Sequence, residues 1–254
     1  MYTAKLAASL LVLLALVLGA VPARAETANC TAITALPTVI TVQGIYCFTD
    51  NLSTGITLGD AINIQTNNVV LDLNGFKLGG LAAGPGTLAI GVHATDRQNI
   101  TVKNGTIRGF LRGIFLQDFG ASQGHVVEDI RTDQNTESGI WVDGSGNIIR
   151  NNQVVATGGT TFFGGNANIQ GIVTGGAGPR VLGNDVIHTV KQGTGIARGI
   201  LFQSGTDGFA VNNRITDADR GIEFEPLVTG KYRDNVTDDV TTPYTGGTDA
   251  GNNN

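Results

Sequence analysis

Short apolar runs of four to six residues, each closed by Gly or Asn, follow one another along this chain. Within them apolar and polar positions alternate, the pattern of strands with one face buried. The clearest run recurs six times: Gly91-Val92-His93-Ala94, Gly113-Ile114-Phe115-Leu116, Gly139-Ile140-Trp141-Val142, Gly171-Ile172-Val173-Thr174, Gly199-Ile200-Leu201-Phe202 and Gly221-Ile222-Glu223-Phe224. Successive copies start 22, 26, 32, 28 and 22 residues apart. A second unit falls between them, as in Asn147-Ile148-Ile149-Arg150-Asn151-Asn152-Gln153-Val154, Val181-Leu182-Gly183-Asn184-Asp185-Val186 and Val211-Asn212-Asn213-Arg214-Ile215. No stretch after residue 25 keeps a helical period for three turns, and residues 58–64 have room for one turn at most. A strand recurring at this spacing predicts a repeat architecture, in which each coil is too small to bury its own apolar residues and coils stack to do so together.

The alternation assigns faces. With the Ile or Val after each Gly pointing inward, the next residue points outward. That outward column reads His93, Phe115, Trp141, Val173, Leu201, Glu223, and two residues on runs a second column, Thr95, Gln117, Asp143, Gly175, Gln203, Glu225. The column before the glycines (Ile90, Arg112, Ser138, Gln170, Arg198, Arg220) borders a corner, and alternation does not assign its facing. The recurrent glycines suit corners that need positive φ. Asn152, Asn184 and Asn213 each precede a Val or Ile by two residues, and stacked coils would let their amides form an internal ladder.

The Gly-Ile strands, the Asn-x-[Val/Ile] turns and the phrase Val69-Val70-Leu71-Asp72-Leu73-Asn74-Gly75 resemble the pectate-lyase-like superfamily of right-handed parallel β-helices. The resemblance runs over residues 55–240. It implies an all-β fold: a single-stranded right-handed parallel β-helix, a solenoid of about seven to eight coils, behind an N-terminal cap at 26–54, with a flexible tail at 241–254. It implies little about activity, since such proteins include lyases, hydrolases, epimerases, binding proteins and structural proteins.

The first residues address export. Lys5, the apolar run at 6–21 and Ala23-Arg24-Ala25 have the form of a secretory signal at 1–25, with cleavage between Ala25 and Glu26. That places the protein outside the cytoplasm, secreted or periplasmic, with no membrane span once the signal is removed. In such a compartment Cys30 and Cys47, the only two cysteines, are expected to form a disulfide that staples the cap. The chain carries 16 basic and 21 acidic residues for a net charge of −5, and losing Lys5 and Arg24 makes it more acidic still. An acidic surface argues against nucleic acid as a partner.

Two readings of the outward face remain. The four apolar residues Phe115, Trp141, Val173 and Leu201 in one column are unusual against water, and such a patch binds something or is covered. As a sugar-binding platform it would use Phe115 and Trp141 for stacking and Gln117, Asp143 and Gln203 for hydrogen bonds. Alternatively the loop at 158–168, with Phe162 and Phe163, covers it, or a second copy of the chain does. The superfamily's lyases imply an Arg or Lys base beside carboxylates that hold calcium. Arg198 and Arg220 with Glu223, Glu225 and Asp143 come nearest to that set, which reads equally as a surface ion-pair network. The Asn-Thr-Asp and Gly-His-Gly elements of polygalacturonase-like hydrolases and the Asp-Pro-His element of alginate epimerases are absent. His93, His125 and His188 share no metal-ligand spacing, and the acidic turns Asp143-Gly144-Ser145-Gly146-Asn147 and Asp217-Ala218-Asp219 do not specify a calcium site. No cofactor or metal is expected. The reading that follows is an exported β-helix module that binds a polysaccharide or other surface component without catalysis, or serves a structural role; the alternative is a lyase acting on acidic polysaccharide.

Overall fold

The computed structural model describes residues 29–254, so the expected signal at 1–25 lies outside the described residues. The described chain forms 23 strands, and every pairing between them is parallel. The coils, about eight in number, have three faces. The first face stacks Asp60–Ile64, Ile90–Thr95, Arg112–Gln117, Ser138–Val142, Ile169–Thr174, Ala197–Phe202 and the end of Arg214–Phe224. The second face stacks Gly44–Phe48, Val69–Asp72, Ile148–Arg150, Arg180–Leu182, Gly208–Val211 and Gly230–Arg233 with the starts of Ile100–Arg108 and Val126–Asp133. The third face includes Gln153–Gly158 and Asp185–Val190. Residues 58–64, with room for one helical turn, instead end in a strand, and the short helical turn falls at Leu81–Ala83. Among the described residues no helix is long and apolar enough to cross a membrane.

The core is a set of in-register columns. Ile62, Val92, Ile114, Ile140, Ile172, Ile200 and Ile222 stack along the inside of the first face and are at most 1% exposed. Burying one such side chain stabilises the fold by about 1.5–3 kcal/mol, but only if the coils above and below are present to cover it. The recurrent glycines are needed for a different reason from the one the sequence suggests. Their φ values are not positive. A Cβ on Gly113, Gly139, Gly171 or Gly199 would lie 2.6, 2.9, 2.7 or 2.8 Å from the carbonyl oxygen of the next glycine in the column, closer than real side chains approach. The column is glycine because the coils come too close there for a side chain.

Positive φ is found at the turns outside that column, at Asn151, Asn212 and Asp234 between the second and third faces. The buried asparagines beside these turns form the ladder. Asn152 Nδ2 donates to Asn184 Oδ1, Asn184 to Asn213 and Asn213 to Asn235, each at 3.0 Å, and Asn235 reaches Asn253 at 3.1 Å. Each receiving oxygen also accepts the backbone N–H of the previous asparagine, as Asn184 Oδ1 does from Asn152 at 3.0 Å.

Both ends depart from the expected boundaries. Thr38–Ile40 and Gly44–Phe48 pair in parallel with Asp60–Ile64 and Val69–Asp72, so residues 38–53 are already a coil of the solenoid rather than a separate cap. The Cys30–Cys47 disulfide ties the preceding strand Thr31–Ile33 to that coil, with Cα atoms 5.8 Å apart. At the other end, residues 241–254 are paired where a free tail was expected. Val236–Thr245 stacks on Arg214–Phe224, Thr248–Asp249 pairs with Gly230–Arg233, and Tyr244 stacks on Tyr232 at 4.8 Å between ring centroids. These Gly-, Asn- and Thr-rich residues supply the last rung of the ladder and the last turns over the core.

Candidate functional site

The outward side of the first face carries a continuous band of interacting side chains. At its N-terminal end His93 Nδ1 lies 3.0 Å from Asp60 Oδ2 and its Nε2 lies 3.2 Å from Thr95 Oγ1. The imidazole stacks parallel on Phe115, with centroids 5.3 Å apart, and Phe115 meets the Trp141 ring edge-on at 5.3 Å. The Arg112 guanidinium covers both rings, 4.4 Å from the Phe115 centroid and 4.3 Å from that of Trp141, and its Nε donates to Glu137 Oε2 at 2.6 Å. Such a cation over two aromatic faces is favourable and fixes their orientation. Arg112 therefore belongs to the outward face, which alternation alone did not assign.

Trp141 Nε1 donates to Asp143 Oδ2 at 2.7 Å, and Gln203 Nε2 donates to Asp143 Oδ1 at 2.9 Å from two coils away. Gly175 occupies the intervening coil, and a Cβ there would lie 3.0 Å from Asp143 Oδ1, so only a residue without a side chain lets Gln203 reach across. Burial pushes the Asp143 carboxyl above the usual carboxylate range, with the two donors acting in the opposite direction. Gln117 is half-buried next to this group.

The apolar stripe is closed over most of its length. Phe115 is 6% exposed, Val173 0% and Leu201 5%, while Trp141 stays partly exposed. The expected flat platform of Phe115 and Trp141 is thus reduced to Trp141, because Arg112 and His93 close over Phe115. Beyond Trp141 lies a cavity of about 280 Å³ bounded by Glu137, Trp141, Phe163, Asn166, Ala167, Asn168 and Gln170. The 158–168 loop that forms its outer wall is braced on both sides. Thr161 N donates to Pro85 O at 3.1 Å, and Asn166 and Asn168 accept backbone N–H groups of Thr194 and Ile196 at 2.9 and 3.0 Å.

Further along the face, Arg198 and Glu223 are 8% and 5% exposed and bonded to one another at 2.5 Å, and Arg220 pairs with the other Glu223 oxygen. The structure brings these three together and leaves Glu225 and Asp143 outside the group. Arg198 is held in a nearly buried position by a buried carboxylate while the Arg220 side chain stays 32% exposed, and breaking a buried pair by removing one partner is costly. Among the described residues no cluster of three or more His, Cys, Asp or Glu is placed to hold a metal ion.

The sequence places His93 on the outward face but gives no sign of its Asp60 partner or of the Arg112–Glu137 pair. Asp60 precedes its strand partner by a full coil, and Glu137 and Gln170 stand at corners where inside and outside do not alternate. The only available signal was the column of Arg, Ser and Gln before the glycines.

Residues 89–252 match the family described as "Right handed beta helix region". Among solved structures the chain is similar to the crystal structure of the enzymatically active domain of bacteriophage CBA120 tailspike protein 2. The TM-score is 0.49 and the identity 14%, over 82% of this chain and 38% of the tailspike chain, so the protein spans well under half of that neighbour's length. No curated protein matches the chain.

Proposed function

We propose that this chain, which belongs to the right-handed β-helix family, is an exported solenoid that binds glycan on the outward side of its first face and performs no catalysis there. The observation that carries the reading is the fixing of Trp141. Its indole N–H is held by Asp143, one ring face lies under Arg112, and its remaining surface borders a cavity edged by amides and a carboxylate. A rigid aromatic with polar groups around it loses little conformational entropy on meeting a sugar ring. Phe115, Val173 and Leu201 are already covered within the single chain, which leaves little of the stripe for a second copy to bury.

The lyase alternative is the weaker one. A base that abstracts a proton needs a nitrogen within reach of substrate; Arg198 is nearly buried against Glu223, and Arg220, 32% exposed, gives one of its nitrogens to the same carboxylate. A glycan array probed with wild-type protein and with Trp141→Ala tests the proposal. The expected outcome is a defined set of bound glycans whose signal falls roughly tenfold or more in the variant, the size of loss seen for buried aromatic anchors. Unsaturated uronate released from polygalacturonate or alginate, and abolished by Arg220→Ala, would overturn the non-catalytic reading in favour of a lyase.

A further inference from the structure

We infer that the second face carries a separate binding surface for a linear anionic glycan, one whose sugar rings bear sulfate, phosphate or carboxylate groups. Down four successive coils of that face, one outward column reads Ile148, Arg180, Phe209 and Lys231. The outward column two residues on reads Arg150, Leu182, Val211 and Arg233. Ile149, Val181 and Ala210, which lie between the columns, are fully buried, and alternation along each strand then turns both columns outward. These eight positions hold four cations, four apolar side chains and no acid, on a chain whose net charge is −5. In the coils before them the second column runs Asp72, Lys103, Glu128, with alternating sign. The run of one sign is particular to the later coils.

The cations differ in what they already hold. Arg150 and Arg233 pair with Glu128 and Asp234 at the edges of the patch, yet stay 48% and 57% exposed. Arg180 and Lys231 are exposed and pair with no carboxylate, unlike most Lys and Arg side chains among the described residues. They stand one coil on either side of Phe209, which is 41% exposed. Strands about 4.8 Å apart set these two cations roughly 10 Å apart along the solenoid axis, with an aromatic ring between them. A polysaccharide lying along that axis can place anionic groups on Arg180 and Lys231 and the C–H face of a sugar ring on Phe209. A neutral glycan draws nothing from either cation. Attraction between exposed charges fades over about 8–10 Å at physiological salt, so one narrow chain senses this patch alone. A nucleic acid duplex or an anionic bilayer covers the whole face and also meets the exposed Asp207, Glu128 and the negative charge of the rest of the molecule.

The test follows the fluorescence anisotropy of labelled dextran sulfate, and of neutral dextran of the same length, as protein is added. Wild-type protein is compared with Arg180→Gln combined with Lys231→Gln, with Phe209→Ser and with Trp141→Ala, each fold being checked by its melting curve. The side chains replaced on the second face are exposed, so their loss leaves the core intact. The expected result is binding of dextran sulfate but not dextran, with affinity that falls as salt is added. The double variant should bind about tenfold more weakly and with a shallower salt dependence, the size expected of two exposed ion pairs. Phe209→Ser should weaken binding while keeping the wild-type salt dependence, which separates ring contact from charge attraction. Trp141→Ala lies on the other face and should match wild type. Failure to bind dextran sulfate, equal binding of dextran, unchanged affinity in the double variant or in Phe209→Ser, or loss in Trp141→Ala overturns the inference. Tighter binding, at the same salt, of single-stranded DNA or of vesicles of equimolar phosphatidylserine and phosphatidylcholine also overturns it, and assigns the patch to that partner.

Discussion

Single residues in this fold carry consequences that their chemical type does not announce. In the sequence His125 shares no metal-ligand spacing with the other two histidines. It is 1% exposed at the corner after the first face; its Nδ1 accepts the backbone N–H of Ile100 at 3.2 Å, and its Nε2 lies 2.7 Å from Ser122 Oγ. That arrangement requires the neutral ring with its proton on Nε2, since a proton on Nδ1 would face another donor. Burial accordingly pulls the pKa from 6.5 down to about 4, with the charge of Asp118 pulling weakly the other way. Because the folded value lies below the unfolded one, the unfolded chain takes up a proton first as pH falls. Stability present above about pH 6.5 is therefore lost towards pH 4, by about 3 kcal/mol from this residue. Urea unfolding at about pH 7 and about pH 4.5 should show a smaller acid loss in His125→Asn than in wild type; equal losses would contradict this. The repeated glycines teach a related lesson. Their periodicity was plain in the sequence, but the reason for it, contact with the next coil's carbonyl, is a property of neighbours about one coil away and not of local backbone preference.

At the scale of the elements, the three corners of the coil behave differently. Between the second and third faces, the same two register positions are Val102 and Thr106, Val127 and Arg131, Ile149 and Gln153, Val181 and Asp185, and Ala210 and Arg214, with no change of spacing from coil to coil. The Asn ladder holds this corner for the last five coils, and Ile130 and Gly105 fill the slot before it. Asn184→Ala would remove the acceptor of the Asn152 backbone N–H, one of the two acceptors of the Asn152 amide and the side-chain donor to the Ile149 carbonyl, all buried. A loss of roughly 3 kcal/mol is expected by denaturant titration, since each buried unsatisfied group costs about 1–3 kcal/mol; a loss below 1 kcal/mol would show the ladder to be incidental. Returning from the third face to the first, the connections run Arg131 to Ser138, Gln153 to Gln170, Asp185 to Arg198 and Arg214 to Arg220, and their lengths vary widely. The ladder was legible because identical residues recur at a fixed place. The loop contacts around Trp141 were not, because they depend on non-repeating segments whose only sequence signal was their length.

For the whole molecule, the repeat told the architecture from the sequence and misplaced both ends. The solenoid begins before residue 55, at Thr38–Ile40, and it does not stop at 240. Deleting residues 241–254 would remove the Tyr244 ring from Tyr232, the Asn253 partner of Asn235 and the turn at Gly246 and Gly247 that packs on Phe224. In a stack where each coil is stabilised by its neighbours, such a loss is felt at the new end, where strand edges also become available to other chains. Truncation should lower unfolding stability by roughly 2–4 kcal/mol and speed hydrogen exchange over 208–240. An unchanged denaturation midpoint would show that the segment is dispensable after all. The unequal corners also bear on how such a protein can change. At one corner every coil must keep the same spacing, so sequence there is constrained by its neighbours. At the other, connections of very different length coexist in adjacent coils without disturbing register, and that corner borders Trp141 and its cavity. New loops exchanged into positions 158–168 or 191–196 could therefore alter what the protein recognises while leaving the stack intact, which makes this edge a natural port for grafted specificity.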